Sequence, residues 1–496
     1  MVPQLLGISS SSAEIWIYIL ASILLRLCVS LGPYSGKGKS PMYGDYEAQR
    51  HWQEITFNLP IQDWYTNSSL NDLQYWGLDY PPLTAYHSYV CGWLASKIDM
   101  DWVKLGDSRG IESNQHKLFM RITVLVADFI IFYTAVFAIS RICKRDDKTT
   151  NNGRALLLLG VFYPGLVLID HGHFQYNCIS LGFMLWMVFC FERDSDVLGS
   201  VAFCLALNYK QMELYHALPV FFFLLGKALS RPWDKCILKL AQLGITVILS
   251  FVILWLPFLS SFESITQVVG RLFPFNRGLF EDKVANVWCS ISPVIKIKKL
   301  FDQTNILRLC SCSTLLLSLP SCLHLMFHPN VKALKLSLVN VSLMFFLFSY
   351  QVHEKSILIS AVSAILICEK LSPYLVVWFL HMTTFSMSPL LTKDGLMMQQ
   401  YTSSVLFLFI TMLCFWHHNH VRLNKQGKFH NVAHGLISKQ LITPRTPLQM
   451  SIICTYLLGI ISILTKPPEK YPDIFPVLIS IFSCAAFLLS AACFHV

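Results

Sequence analysis

The sequence predicts an all-α, polytopic membrane protein. Hydrophobic residues make up 54% of the chain and charged residues only 14%, and the mean hydropathy is +0.51. Apolar segments also recur along the whole chain. A bilayer span needs roughly 20 mostly apolar residues, and about fourteen segments approach that length.

The first apolar segment, at 15–32, has no basic start and no small-residue cleavage site, so we expect an uncleaved signal anchor. A shorter apolar stretch at 287–297 cannot cross a bilayer, and we predict a surface or re-entrant segment there. The remaining predicted spans are 117–140, 155–169, 178–191, 197–208, 214–230, 237–260, 304–326, 336–350, 356–370, 372–390, 401–417, 447–465 and 474–495.

The connecting loops divide into two groups by charge. Short loops rich in Lys and Arg face the cytoplasm in most membrane proteins, and the basic loops here are 141–154, 227–236, 328–335 and 418–446. The polar clusters fall on the other side of the membrane, in 33–116, 170–177, 209–213, 261–303 and 351–355. The sequence therefore predicts that the chemistry occurs at a single membrane face.

Charge and cysteine content exclude several function classes. The net charge of +10 comes largely from the basic loops, and no nucleic-acid-binding motif accompanies it, so we expect no nucleic-acid partner. Most of the 16 Cys lie inside apolar runs, where Cys behaves as a small hydrophobic residue. No metal-ligand spacing is present, and we predict neither a metal nor a cofactor.

The run Gly-Asp-Tyr-Glu-Ala-Gln-Arg-His-Trp at 44–52 is the densest polar stretch of the first loop. A carboxylate there can take a proton from an attacking hydroxyl, as the base of inverting glycosidases does for water. If the leaving group is a lipid phosphate, no partner acid is needed, and cations suffice to hold it. Asp45 is the candidate base, and capping of the following helix is its alternative role. Glu47 either shares that role or is merely solvated.

Several cations are candidates for phosphate or diphosphate contact. Arg271, Arg277 and Lys283 lie in loop 261–303, although interfacial Arg and Lys also bind lipid head groups. The sequence His353-Glu354-Lys355 directly follows an apolar span, where ionisable residues are costly and usually functional. The alternative for His353 is a neutral anchoring role.

Three further clusters are expected to be mainly structural. Asp170, His173 and Gln175 connect two short helices and either line the site or only hold the turn together, with the structural role favoured. Lys210, Gln211 and Glu213 could similarly form a satisfied ion pair at a helix end. Arg121 and Asp128 are seven residues apart and share a helix face, so we predict contacts between helices for both.

Residues 15–370 contain several long motifs that occur in the same order in one protein family. They lie at 44–52, 76–86, 172–177, 209–216, 271–283 and 351–358. The chain resembles the endoplasmic reticulum glucosyltransferases that use dolichyl-phosphate glucose to build the N-glycan precursor. Gly77-Leu78-Asp79-Tyr80 with the run at 44–52 resembles the branch that adds the first glucose, in α-1,3 linkage, to Man(9)GlcNAc(2)-diphosphodolichol.

The resemblance implies a C-type glycosyltransferase fold with two modules. These are a catalytic first half, 1–260, including loop 33–116, and a variable second half, 261–496, including loop 261–303. It implies Asp45 as the general base and inversion in one displacement. The expected substrate-binding residues are Glu47, Arg50, Trp52, Asp79, Tyr80, Arg271, Arg277, Asp282, Lys283, His353, Glu354 and Lys355.

The same resemblance sets expectations for partners and location. The donor is dolichyl-phosphate glucose, the acceptor is a dolichol-diphosphate-linked oligosaccharide, and the protein is a monomer in the lipid bilayer. Its active site faces the lumen of the endoplasmic reticulum, and Asn67 of the Asn-Ser-Ser sequon is a glycosylation candidate. Two alternatives stay open, namely the paralogous enzyme that adds the second glucose and a polytopic lipid transporter.

Overall fold

The structure is a computed structural model that describes residues 10–146, 152–273, 279, 283–368, 371–425 and 445–494. These ranges are helical with short connections. The α-helices are α1 Ser10–Ser30, α2 Asp45–Asn58, α3 Pro82–Ile98, α4 Asn114–Ala127, α5 Thr134–Asp146, α6 Asn152–Phe162, α7 Pro164–Val167, α8 Asn177–Glu192, α9 Asp196–Tyr209, α10 Ala217–Leu229, α11 Trp233–Trp255, α12 Phe262–Leu272, α13 Val287–Ile291, α14 Ile297–Leu300, α15 Gln303–Phe327, α16 Val331–Phe348, α17 Ile357–Ile365, α18 Pro373–Ser386, α19 Ser388–Lys393, α20 Met397–Lys425, α21 Arg445–Leu464 and α22 Ile474–Phe494.

Each predicted apolar span coincides with a helix, which confirms the all-α, multi-span architecture. Within the described ranges, ten helical segments are long and apolar enough to cross a membrane. Four further helices, α8, α9, α17 and α18, match predicted spans but contain only 16, 14, 9 and 14 residues, fewer than the roughly 20 that a bilayer span needs. The total of about fourteen spans therefore stays a prediction. The stretch at 287–297 contains the short helix α13 and the first residue of α14, with no helix long enough to span.

The predicted module boundary near residue 260 falls in the connection between α11 and α12. The division into two modules itself stays a prediction. A cavity described below is lined by residues from both sides of that boundary.

The loop 33–116 folds into a compact layer built on α2 and α3. In α2, every side chain from Tyr46 to Thr56 is buried, so this helix does not lie on the membrane with a solvated polar face. It packs in an aromatic cluster with Trp64, Tyr65 and Phe258. Burying these large aromatic rings helps to hold the layer in place.

Buried ion pairs join α1 to the π-helical segment Asp128–Tyr133, which continues α4, and to the turn that precedes α8. Arg26 Nε donates to Asp128 Oδ2 at 2.6 Å, and both side chains are almost fully buried. His171 Nε2 contacts the same oxygen at 2.9 Å. Arg121 Nη2 donates to the carbonyl oxygens of Pro33 and Gly172. Arg121 and Asp128 therefore join separate segments, as their shared helix face predicts.

We predict that Asp128→Ala destabilises the protein strongly, because it leaves the buried Arg26 without its carboxylate. Breaking a buried ion pair typically costs about 3 to 5 kcal/mol. Thermal unfolding of the purified protein in detergent measures the effect. Asp107→Ala is the control, since Asp107 pairs with Lys104 on the exposed surface and little change is expected there. Equal shifts for the two variants would contradict the structural role of Asp128.

Candidate active site

A cavity of about 730 Å³ opens between the loop layer and the helix bundle. Its walls come from the start of α2, the segment 76–80, the turn before α8, the segment 210–215 and the segment 349–359. These are the polar clusters that the sequence assigns to one membrane face. The cavity is large enough to hold a drug-sized ligand.

Asp45 is the first residue of α2 and lines this cavity. The residue before the helix is Gly44, and no side chain caps the helix, so the capping alternative for Asp45 is wrong. A Cβ on Gly44 would meet the backbone of Ser35 and Gly36 at 2.8 Å. Glycine at this position therefore allows the close backbone approach that sets the start of α2.

One oxygen of the Asp45 carboxylate accepts three hydrogen bonds. Lys355 Nζ donates to Oδ2 at 2.6 Å and Gln175 Nε2 at 2.5 Å, while His173 Nε2 donates at 3.0 Å. Burial raises the pKa of Asp45, but Lys355 and His173 outweigh it and hold the pKa well below its usual range. Among the described residues, Oδ1 accepts no hydrogen bond, and the side chain stays 25% exposed.

His173 lies between two carboxylates. Its Nε2 faces Asp45, and its Nδ1 contacts Asp394 Oδ2 at 2.5 Å. His173 lies in a π-helical turn, Leu168–Phe174, whose last residue, Phe174, has a φ of 91°. Positive φ is unfavourable for a bulky residue, so the surrounding structure holds this turn in a strained conformation.

Lys210 is the second lysine of the cavity wall. Its Nζ donates to Asn177 Oδ1 at 2.5 Å and to Gln175 Oε1 at 3.2 Å, and it lies 5.1 Å from the Tyr80 ring centroid. These partners are neutral, and among the described residues the ammonium group makes no direct contact with a carboxylate. Burial, with a contribution from Lys355, lowers the pKa of Lys210 to about 8.

The expected ion pair between Lys210 and Glu213 does not form. Glu213 instead contacts His216 Nδ1 at 2.9 Å through Oε2. The structural prediction for the turn before α8 holds only for Asp170, whose oxygens accept from the backbone and side chain of Asn177 and from the Cys178 amide. For the other two residues, His173 and Gln175, the alternative of lining the site holds, because both line the cavity and contact Asp45.

An aromatic wall faces the two lysines. Trp52, Trp76 and Tyr80 line the cavity, and Trp52 Nε1 donates to the Trp76 carbonyl at 2.8 Å. Arg271 lines the same wall and donates to the carbonyls of Gly77 and Leu78. Aromatic faces beside cations suit a sugar ring attached to an anionic group.

The structure brings seven of the expected substrate-binding residues to the cavity wall: Trp52, Asp79, Tyr80, Arg271, His353, Glu354 and Lys355. Lys283 is not among the lining residues and pairs with Asp473 at 3.1 Å. Arg277 and Asp282 lie outside the described residues. Asn67 is exposed, and its Oδ1 accepts from the Leu73 amide.

Glu47 and Arg50 are also absent from the cavity lining. Arg50 Nη2 contacts Glu47 Oε1 at 2.6 Å and Glu54 Oε2 at 2.7 Å, with all three side chains buried. Tyr75 donates to Glu47, and the pKa of Glu54 is lowered to about 2, because His51 and Arg50 outweigh the effect of burial. This cluster fixes the helix that carries Asp45.

Two residues of the site, Asp394 and Lys210, were missed as functional candidates. Asp394 lies beyond residue 370, where the sequence offers only hydropathy. An Asp-Gly pair at a helix end is its one local signal, and that pattern is common. In the part of the chain that the structure describes, no cluster of His, Cys, Asp or Glu is placed to hold a metal ion.

We predict that Glu47→Ala destabilises the protein without changing ligand binding. The cost should be about 2 to 3 kcal/mol, below the roughly 3 to 5 of a lone buried pair, because Glu54 still contacts Arg50. Thermal unfolding and the KM of each substrate are the measurements, with the exposed Asp63→Ala as control. A raised KM at unchanged stability would instead place Glu47 in substrate binding.

Comparisons with known proteins identify the family of this chain. The model of the ALG6, ALG8 glycosyltransferase family matches residues 22–493. A chicken relative is 49% identical over 486 residues, covering 97% of this chain and 95% of its own. A mouse relative is 47% identical over 489 residues, with 97% and 95% covered. A Drosophila melanogaster relative is 44% identical over 484 residues, with 95% and 96% covered.

The chicken and mouse relatives are both named dolichyl pyrophosphate Man9GlcNAc2 alpha-1,3-glucosyltransferase, and the Drosophila relative carries the same name with the prefix "probable". The match spans nearly the whole chain, beyond the region on which the resemblance rests. It confirms the resemblance and the C-type glycosyltransferase fold expected from it. The chain belongs to the ALG6, ALG8 glycosyltransferase family.

Proposed function

We propose that this protein transfers the first glucose from dolichyl-phosphate glucose, in α-1,3 linkage, to Man(9)GlcNAc(2)-diphosphodolichol. The observation that carries the proposal is the Asp45 carboxylate, held through one oxygen by Lys355, His173 and Gln175 at the wall of a cation-lined cavity. Its near full-length relatives are named for this acceptor and linkage. The reaction takes place in the endoplasmic reticulum membrane, at its lumenal face, in a monomeric enzyme.

Asp45 acts as the general base in a single displacement. The acceptor hydroxyl oxygen attacks C1 of the glucosyl group, its proton passes to Asp45, and the C1–O bond to the phosphate breaks with the electron pair leaving on dolichyl phosphate. A β-linked donor and an α-linked product require this inversion. Because Oδ2 already accepts three hydrogen bonds, Oδ1 is the oxygen that receives the proton.

The low pKa of Asp45 is compatible with this role. The hydroxyl becomes strongly acidic only as its oxygen bonds to C1, so a weak base suffices late in the step. The low pKa keeps the carboxylate ionised at every pH of the lumen. Positive charge beside it also favours the developing phosphate anion.

Lys210, Lys355 and Arg271 form the cationic part of the cavity wall. Among the described residues, Lys210 donates only to neutral side-chain oxygens, whereas Lys355 pairs with Asp45, so we assign Lys210 to the donor phosphate. Such a charge-assisted hydrogen bond contributes about 1.5 to 3 kcal/mol. Trp52, Trp76 and Tyr80 then offer apolar faces to the sugars.

We expect Asp45→Asn to lower kcat by about 10² to 10⁴, the usual contribution of a general base. The assay follows glucose transfer from dolichyl-phosphate glucose to the Man(9) lipid-linked acceptor. The donor KM should change little, and the exposed Asp107→Asn should behave as the unmodified protein. Undiminished transfer would exclude Asp45 as the base.

Two further assays test the alternative functions. Offering the acceptor that already bears one glucose tests the second-glucose alternative. Uptake of lipid into proteoliposomes without any glycosyl product would favour a transporter.

The pKa of Lys210 predicts how donor binding depends on pH. The ammonium is charged below about pH 8 and neutral above it, so the donor KM should rise by about tenfold as pH increases from 7 to 9. Lys210→Arg stays charged across this range and should give a flat profile. Lys210→Met should show the raised KM at every pH. A flat profile in the unmodified protein would remove Lys210 from the phosphate site.

A further inference from the structure

Asp394 and His173 form a buried pair behind Asp45. Their side chains are 5% and 2% exposed, and the Nδ1–Oδ2 distance is 2.5 Å. The other ring nitrogen, Nε2, is 3.0 Å from Asp45 Oδ2. Both imidazole nitrogens therefore face carboxylate oxygens, which only accept hydrogen bonds when ionised. Lys355 Nζ also lies 3.3 Å from Nε2, but the two carboxylate contacts are shorter and are both satisfied when each nitrogen carries a proton, so we assign the ring as an imidazolium cation.

The backbone around Asp394 is held in a fixed conformation by hydrogen bonds at the end of α19. Asp394 is the C-cap residue that follows α19, and Gly395, with φ +72°, comes next in the left-handed conformation. The Leu396 amide donates to the Leu391 carbonyl at 2.8 Å and the Gly395 amide to the Thr392 carbonyl at 3.1 Å. These two bonds form a Schellman motif that fixes the helix end. A carboxylate at that end faces the negative pole of the helix dipole, so helix stability does not explain it.

A glycine lets this helix end approach the His173 turn. A Cβ on Gly172 would meet Leu396 Cδ1 at 3.0 Å and Val29 Cγ1 at 3.3 Å. Leu396 lies two residues after Asp394, so the close approach at Gly172 brings the carboxylate beside the ring of the next residue. Ser35 holds the same turn, because its amide donates to the His173 carbonyl at 2.9 Å.

The charges of this group balance. Asp45 and Asp394 are anions, Lys355 and the His173 imidazolium are cations, and the four side chains are linked in series by contacts of 3.0 Å or less. A neutral imidazole has only one N–H, so it could donate to Asp45 or to Asp394 but not to both. Buried charge that is not compensated in this way is costly.

We propose that Asp394 is a positioning residue for the general base. It keeps the His173 ring doubly protonated, and the Nε2–H of that ring holds Asp45 Oδ2 so that Oδ1 is left for the acceptor hydroxyl. The inference rests on the proposed role of Asp45. It adds the requirement that a second carboxylate, remote in sequence, maintains the orientation of the base and the positive charge beside it.

The test compares Asp394→Asn with the unmodified protein in kcat, in KM and across pH. An amide at position 394 has no negative charge, so it no longer stabilises the second proton of the His173 ring. An ordinary imidazole loses that proton near pH 6.5, roughly. Asp45 and Lys355 also face the ring, and their opposite charges oppose each other in setting this midpoint. Arg121, which donates to the Gly172 carbonyl, is a further cation beside this turn, and Lys210 contacts Gln175, which donates to the same Asp45 oxygen.

We expect D394N to lower kcat by about 10- to 100-fold at pH 7.5, part of the contribution of the base. Both KM values should stay within about twofold, because Asp394 contacts no substrate. The kcat of D394N should fall as pH rises from 6 to 8, whereas the unmodified protein stays level. D394E, which keeps the carboxylate, should recover most of the rate and the level profile.

A double variant identifies the titrating group. His173→Gln keeps an N–H donor for Asp45 but has no ring to titrate, so adding D394N to it should introduce no pH dependence and little further loss. A pH-dependent fall that persists in the double variant would overturn the proposal, as would a level profile or an unchanged kcat in D394N. If D394N is not recovered folded, D394E alone decides, since a fall with pH in that variant contradicts the role assigned to the carboxylate.

Asp45→Asn is measured in parallel to separate the two proposals. A dead D45N with a normal D394N contradicts only the role of Asp394. A fully active D45N contradicts the proposed function itself. Thermal unfolding and donor binding of every variant, with Asp107→Asn as the matched exposed control, show whether lost rate reflects lost fold.

Discussion

The ion pair between Asp45 and Lys355 is the contact on which the site depends. It joins residues 310 positions apart at 2.6 Å and connects the loop after α1 to the segment between α16 and α17. Two mostly buried charges are stable only when each meets a partner in good geometry. The pair therefore requires both halves of the chain to be folded and docked. It also sets the low pKa of the carboxylate and places an ammonium group beside the cavity.

The rest of the loop layer holds Asp45 in that position. α2 is anchored by aromatic packing around Trp52 and by the buried cluster of Glu47, Arg50 and Glu54. Charged residues in the motif thus have two different roles, although they are neighbours in sequence. Asp45 at the start of the helix faces the cavity, whereas the next turn carries the charges that fix the helix. A rigid support of this kind is what precise placement of a base demands.

The sequence alone supports a large part of this description. Apolar segment length and loop charge predict the helices and their sidedness, because both depend only on local composition and on the thickness of a bilayer. The motif around residue 45 predicts the carboxylate, and the resemblance predicts the family. The sequence does not separate Arg50, which pairs within its own helix, from Arg271, which lines the cavity. Both are basic residues in polar loops, and only their neighbours in space distinguish them.

The residue types that could do chemistry, and the prediction that they share one membrane face, thus come from the sequence by itself. The tertiary structure decided which of them meet. It gave Asp45 its contacts with Lys355, His173 and Gln175, set Asp394 behind the histidine, and left Lys210 facing neutral oxygens. The physical reason is that hydropathy and charge patterns act over one helix or one loop. Contacts between residues hundreds of positions apart follow only from how the helices pack.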